Sequence, residues 1–376
     1  MSSFRFSDNI IKFRHKKKIT QEQLADFIGV TKASVSKWET GQSLPDILLL
    51  PELASFFDIT IDELLGYEPQ LTKEQIRRIY RDLATAFANM PFTEVMEQSR
   101  EYVKKYYSCY PFLFQIGVLW LNHFMLAESE EQGIEVLKEI SSLCNHIIEN
   151  CKDIGICEDA VILKASADLQ IGKAKEAVAV LEEIVNPCRL SKQSDTMLIN
   201  AYLSIGKKQE ADSFAQISMF LHLLNFIADA SFYLIVHNDN LELCKETIFR
   251  ILEVEKIYKI DFLHPNQMAV FYYQAAIVFC THKEKQQALK LLKRFAANVT
   301  YLLTDDHLTI HGDNYFHRIQ EWYERLELGI DAPRDKKTVF DSLAQVFSHP
   351  AFAILEEESE YQHIKKSLMK IERKLN

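Results

Sequence analysis

The stretch TKASVSKWETG, Thr31–Gly41, sets Lys32, Ala33, Ser36 and Lys37 at helical spacing, with Val35 and Trp38 at i, i+3 on the other side. Two cations and two small side chains make a slim, polar face. Such a face enters the major groove of duplex DNA, about 12 Å wide, without steric conflict. Lys can bond guanine O6 and N7, and Ser can bond several base edges. Ala33 leaves only an apolar touch, as to a thymine methyl. Thr31 precedes the helix as its cap. Gln21 opens the preceding helix, where free main-chain N–H groups favour phosphate, and Gln42 and Ser43 follow within reach of the next phosphates. The chemistry implied is non-covalent reading of double-stranded DNA by Gln21, Thr31, Lys32, Ala33, Ser36, Lys37, Gln42 and Ser43.

Other clusters imply less. In DDHLTIHGDNYFH, His307 and His311 stand at i, i+4 near Asp305, Asp306, Asp313 and His317. Gly312 interrupts any helix there and no HExxH pattern is present, so the stretch reads as a solvated loop rather than a metal site. CKDIGIC spaces Cys151 and Cys157 wrongly for a zinc knuckle, and EEESE, Glu356–Glu360, reads as a solvated helix face. There is no Gly-rich phosphate loop and no nucleophile elbow. The expectation is a protein that is not an enzyme and uses no cofactor or metal. The seven cysteines contain no CxxC pair and point to reduced thiols in a cytoplasmic protein.

The elements that must position the reading face come next. In ITQEQLADFIG, Thr20 and Gln23 have capping-box spacing, Leu24, Ala25 and Ile28 form an inner stripe, and Gly29 is a stop. Two short helices joined across that Gly have helix-turn-helix spacing. Charge agrees. Residues 1–45 hold eight Lys/Arg against four acids, a surplus of four, which leaves −14 for the rest of a chain whose net charge is −10. A basic head on an acidic body suits a head that binds a polyanion.

The segment TQEQLADFIGVTKASVSKWETGQSLPD, continued by LPELASFFDITIDELLG, resembles the phage-repressor-type (Xre/Cro) helix-turn-helix family over residues 7–66. The resemblance implies a five-helix domain, with helix 4 near Pro45–Phe57 and helix 5 near Thr60–Leu65. It implies phosphate contact at Gln21 and base reading at Lys32, Ala33, Ser36 and Lys37. Ala33 departs from the polar residue that many relatives carry there.

At 376 residues with ten Gly and nine Pro, the chain is expected to be all-α, with domains at 1–67 and 68–376. LQIGKAKEA, Leu169–Ala177, recurs as LSIGKKQEA, Leu203–Ala211, 34 residues on. That is the tetratricopeptide period, and the two units resemble such repeats. Five to seven helix pairs, stacked as a tetratricopeptide-like α-solenoid, are expected. NDNLELCKETI falls a further 34 residues on but lacks the Gly and Ala. Repeat registers place Asn122 and Asn200 on the concave, ligand-binding face, with Tyr273 a further candidate. The longest apolar run, Phe112–Leu126, is too short and polar to span a bilayer, so no membrane partner is expected. The combined architecture resembles the peptide-responsive Rgg, PlcR and Rap regulators. This implies a homodimer that reads repeated half-sites and senses a signalling peptide. A scaffold tethered to DNA, whose repeats recruit a partner protein, is the alternative from another class.

Overall fold

The structure, a computed structural model, describes residues 5–67, 70–185, 194–304, 311–326, 328–329 and 333–370. All regular elements among these residues are helical. The chain divides into two compact units, Met1–Thr72 with Lys104–Cys109, and Lys73–Val103 with Tyr110–Asn376.

The head comprises α1 (Phe6–Lys16), α2 (Gln21–Ile28), α3 (Lys32–Glu39), α4 (Leu50–Phe57) and α5 (Ile61–Leu65). Thr20 accepts from the Gln23 N–H while the Gln23 side chain accepts from the Thr20 N–H, a complete capping box at the start of α2. Gly29 ends α2 at φ 76°, and Thr31 caps α3 by accepting from the Ser34 N–H. A second capping box, Thr60 with Glu63, starts α5. The α4 expectation is corrected. Ile47–Leu49 is a 3₁₀ turn capped by Asp46, and the α-helix begins at Leu50, with Pro51 in its first turn. Pro lacks the donor that a helix interior requires, which sets the later start. Leu24, Ala25, Ile28, Val35, Trp38, Leu53, Phe57 and Leu64 close the core with Phe6 and Ile10 from α1.

The body runs through α6 (Lys73–Asn89), α7 (Phe92–Lys105), α8 (Tyr110–His123), α9 (Glu130–Asn150), α10 (Ile154–Gln170), α11 (Ala174–Ile184) and α12 (Ser194–Ser204). There follow α13 (Lys208–Val236), α14 (Leu241–Tyr258), α15 (Ile260–Leu263), α16 (Pro265–Thr281), α17 (Lys285–Thr304), α18 (Gln320–Tyr323), α19 (Lys336–Val346) and α20 (Ser359–Met369). Sequential helices pack as hairpins, α8 on α9, α10 on α11, α12 on α13 and α16 on α17. The two quoted repeats behave alike. Gly172 and Gly206 turn the chain at φ 79° and 76°, and Ala177 and Ala211 are buried against the partner helix. Nothing lies within 4 Å of a Cβ built on Gly172. Gly172→Ala is therefore expected to lower stability through backbone strain alone, by about 1 kcal/mol. Urea unfolding reads this, and an unchanged midpoint would show that the turn relaxes.

The solenoid departs from a regular stack in two places. First, α13 is one continuous helix of 29 residues, longer than any other described helix of the stack. No Gly or Pro falls within Lys208–Val236, so nothing stops the helix. This corrects the membrane-length reading as well. By length and composition α13 could cross a bilayer, yet it carries Glu210, Asp212 and Asp229 and packs on α12, α14 and α16.

Second, the segment between α17 and α19 reaches back to the start of the body. Arg318 Nη1 donates to the Gln209 carbonyl at 2.7 Å, and Trp322 Nε1 donates to Ser213 Oγ at 2.9 Å, both on α13. Arg77 Nη2 of α6 donates to the carbonyls of Glu324 and Leu326, each at 2.6 Å. The Tyr80 hydroxyl donates to the Pro333 carbonyl at 3.0 Å, and Lys337 Nζ donates to the Ala88 carbonyl at 3.1 Å. The reading of Asp305–His317 as a solvated loop is corrected for its second half. Phe316 is buried against Phe220 and Tyr258, and a Cβ on Gly312 would stand 2.0 Å from the Phe316 carbonyl oxygen. Asp305, Asp306 and His307 lie outside the described residues. EEESE is also more than a solvated face. Glu358 pairs with Lys285 at 2.8 Å, Glu360 pairs with Lys293, and Glu356 pairs with Lys365 at 3.1 Å.

Candidate functional site

In α3, Val35 and Trp38 are buried and leave Thr31, Lys32, Ala33 and Lys37 exposed, with Ser36 half-buried. Lys32 reaches Glu22 of α2 at 3.6 Å, with both side chains more than half exposed. A pair in that setting is worth little and opens readily to a phosphate or a base. At the other end the Lys37 carbonyl accepts from the main-chain N–H of Gln42 at 2.9 Å and of Ser43 at 3.3 Å. The exposed side chains of Gln42 and Ser43 are thereby fixed beside the end of α3.

The orientation of α3 is set by a buried pair. Arg14 of α1 meets the Glu39 carboxylate with both fork nitrogens, Nε to Oε1 at 2.5 Å and Nη2 to Oε2 at 2.9 Å. Arg14 Nη1 also donates to the Ile19 carbonyl at 3.0 Å. Gln21 Nε2 donates to the same Glu39 Oε2 at 2.8 Å. Side chains of Arg14 and Glu39 are only 12% and 6% exposed, so the contact is shielded from water. Burial alone would raise the Glu39 carboxyl, but the bonds from Arg14 and Gln21 outweigh it and hold the carboxyl below its ordinary range. The bond to Glu39 raises the Arg14 guanidinium. Gln21 thus has a place inside the head as well as at the mouth of α2. Arg14 and Glu39 were not among the residues singled out from sequence. They stand 25 residues apart on helices that carry other charges as well, so no spacing marks them.

In the body, the three ligand candidates have different surroundings. The Asn122 amide is engaged on both sides. Its Nδ2 donates to the Val118 carbonyl at 2.9 Å, and its Oδ1 accepts from Arg334 Nε at 3.2 Å. Asn200 is exposed on α12. Tyr273 lines a groove of about 510 Å³ with Leu234, Ile235, Asn238, Ile277 and His349. Neither asparagine lines it. The groove is mainly apolar, and it contains a polar group without a partner: Asn238 Oδ1 is buried and accepts no hydrogen bond among the described residues. His282 Nε2, 2.7 Å from the Asn238 carbonyl oxygen, holds that residue in place. Burial pushes the Tyr273 phenol up, so it remains a protonated donor at neutral pH. A buried acceptor left unpaired costs about 1–3 kcal/mol.

The sequence comparisons with known proteins concern the N-terminal part of the chain. A helix-turn-helix family profile matches residues 10–64. BcrR, an HTH-type transcriptional activator of Enterococcus faecalis, is 36% identical over 81 residues, which is 20% of this chain and 40% of BcrR. This chain therefore spans well under two thirds of that relative. YqaE, an uncharacterised HTH-type transcriptional regulator of Bacillus subtilis, is 32% identical over 88 residues, which is 23% of this chain and 71% of YqaE. Among solved structures, Bacillus thuringiensis PlcR in complex with the peptide PapR7 and DNA aligns over 80% of this chain and 95% of that chain, at 15% identity and a TM-score of 0.33. A score of that size does not establish a common overall arrangement. The match to YqaE together with the capped α2–turn–α3 unit places the chain in the Xre/Cro-type helix-turn-helix family of transcriptional regulators.

Proposed function

We propose that this chain is a cytoplasmic, sequence-specific regulator of transcription that reads duplex DNA as a homodimer and whose helical body senses a ligand. The observation that carries the reading is the outward face of α3, with Lys32, Ala33, Ser36 and Lys37, on a helix tied to α1 and α2 through Glu39. One such head reads only a few base pairs, so two copies on half-sites about 34 Å apart, or a multiple of that, supply the specificity. The acidic body, at −9 over residues 68–376, repels DNA and weakens non-specific binding, which leaves affinity to the head. Genome-wide occupancy mapping in the native host tests the reading. Reproducible sites sharing a repeated half-site support it, and occupancy without a common sequence sinks it.

The ligand class follows from the groove at Tyr273. Its mainly apolar walls suit an apolar residue of an extended peptide. Tyr273→Ala is expected to weaken binding of such a peptide about tenfold, near 1.4 kcal/mol, by removing one wall. Calorimetry with hydrophobic peptides from host culture measures this, with a thermal melt as control. Unchanged affinity would move the site away from Tyr273. A body that recruits a partner protein, with no ligand altering operator affinity, would favour the scaffold reading while leaving the head's role intact.

A further inference from the structure

The continuous α13 leaves one face of the body uncovered. A crevice between α13 and α14 stays open to solvent, with Phe226, Asp229, Tyr233, Glu246 and Arg250 exposed. The crevice, about 520 Å³, is lined by Phe226, Asp229 and Tyr233 from α13 and by Leu243, Glu246 and Arg250 from α14. Met219, Phe226 and Tyr233 recur every seven residues and so form a single stripe. Ile257 extends the Arg250 stripe by the same step. Phe226 is 51% exposed, Tyr233 43%, Val236 71% and Ile257 71%. These side chains offer roughly 400 Å² of apolar surface. That is about half of the roughly 800 Å² that each partner buries in a stable complex.

We infer that this α13–α14 face is where a second copy of the chain docks, an inference that rests on the homodimer of the proposed function. The charges select that occupant. A two-fold interface presents the same patch to itself, so the patch must contain its own complement. Asp229 lies within the apolar stripe and has no partner among the described residues, while Arg250 lies across the crevice. Arg250 meets only Glu246, at 2.8 Å, with both side chains more than half exposed. The two-fold operation sets Arg250 of one copy against Asp229 of the other and packs Phe226 into the facing crevice. A bilayer would have to take in Asp229 and Glu246, and an anionic membrane would repel a chain of net charge −10.

The test uses the full chain in sedimentation equilibrium at micromolar concentration. Phe226→Glu, Asp229→Arg and Arg250→Glu should each weaken self-association at least tenfold, with circular dichroism and melting unchanged because all three side chains are on the surface. The double variant Asp229→Arg/Arg250→Glu should recover association relative to either single change, because the pair is rebuilt with reversed polarity. A wild type that is monomeric overturns the proposal. So does a dimer indifferent to all three changes, or wild-type chain that floats with phosphatidylcholine vesicles. Anisotropy on a single half-site, where one head suffices, separates the two readings. DNA binding retained by the monomeric variants leaves the regulator intact even if this surface is wrong.

Discussion

Glu39→Ala is expected to destabilise the head by about 3–5 kcal/mol, because it leaves the buried Arg14 guanidinium without its counter-charge. The Gln21 amide loses its acceptor in the same change. Hydrogen–deuterium exchange across α1–α3 in the full chain reads the loss locally, where a global melt would be dominated by the larger body. Glu39→Gln keeps the shape and one acceptor oxygen, so it should lose less. The dependence on acidity has a definite sign. The Glu39 carboxyl is held below its ordinary value in the folded head. Its contribution is complete above the ordinary carboxylate range, near 4–5, and is lost as pH falls through the lower folded value. Protection of α3 that was unchanged in Glu39→Ala, or that rose on acidification, would refute this account of what orients the helix.

Lys37→Ala is expected to reduce operator affinity by about 1–3 kcal/mol and to relax preference at one base pair. Lys37 is exposed and its carbonyl alone is used within the head, so the side chain can be removed without disturbing the fold. Gln21→Ala should act differently. Its loss weakens binding to all sequences alike and also removes a bond to Glu39, so exchange protection falls as well. Binding to a panel of operator variants, at a stated salt concentration, separates the two effects. If Lys37→Ala left affinity and base preference unchanged, α3 would not be the reading helix.

Local signals in the sequence survive into the structure, and distant pairings do not announce themselves. Thr20 with Gln23, Gly29, Thr31 and the Val35–Trp38 pair act within four residues, and each does in space what its spacing implies. The same holds for Gly172 and Gly206, whose positive φ is a property of single residues. Arg14 with Glu39 is different, since the two lie on separate helices and share no period. The continuity of α13 was hidden for another reason. The repeat draws attention to the turns at Gly172 and Gly206, whereas it is the absence of any Gly or Pro in Lys208–Val236 that lets this helix run on. The hold of α6 on Glu324, Leu326 and Pro333 is harder still to foresee, because Arg77 and Tyr80 bond main-chain carbonyls, which every residue has. For the ligand face, register alone grouped Asn122, Asn200 and Tyr273. It could not anticipate that Arg334 would take up Asn122 or that Asn238 would be the unpaired amide.

The ties between α6 and the segment before α19 also set a timetable. Arg77 and Glu324 are 247 residues apart in the chain, and Tyr80 and Pro333 are 253 apart. On a ribosome adding roughly 5–20 residues per second, α6 emerges on the order of ten to fifty seconds before the carbonyls it binds. An open stack of repeats can consolidate hairpin by hairpin as it is made, since each contacts only its neighbours. This body can do so only in part. The far-end bonds of α6 wait until the last part of the chain arrives and closes a loop of some 250 residues, a slow, non-local step. During that interval the main-chain carbonyls that Arg77 and Tyr80 bond in the finished body do not yet exist.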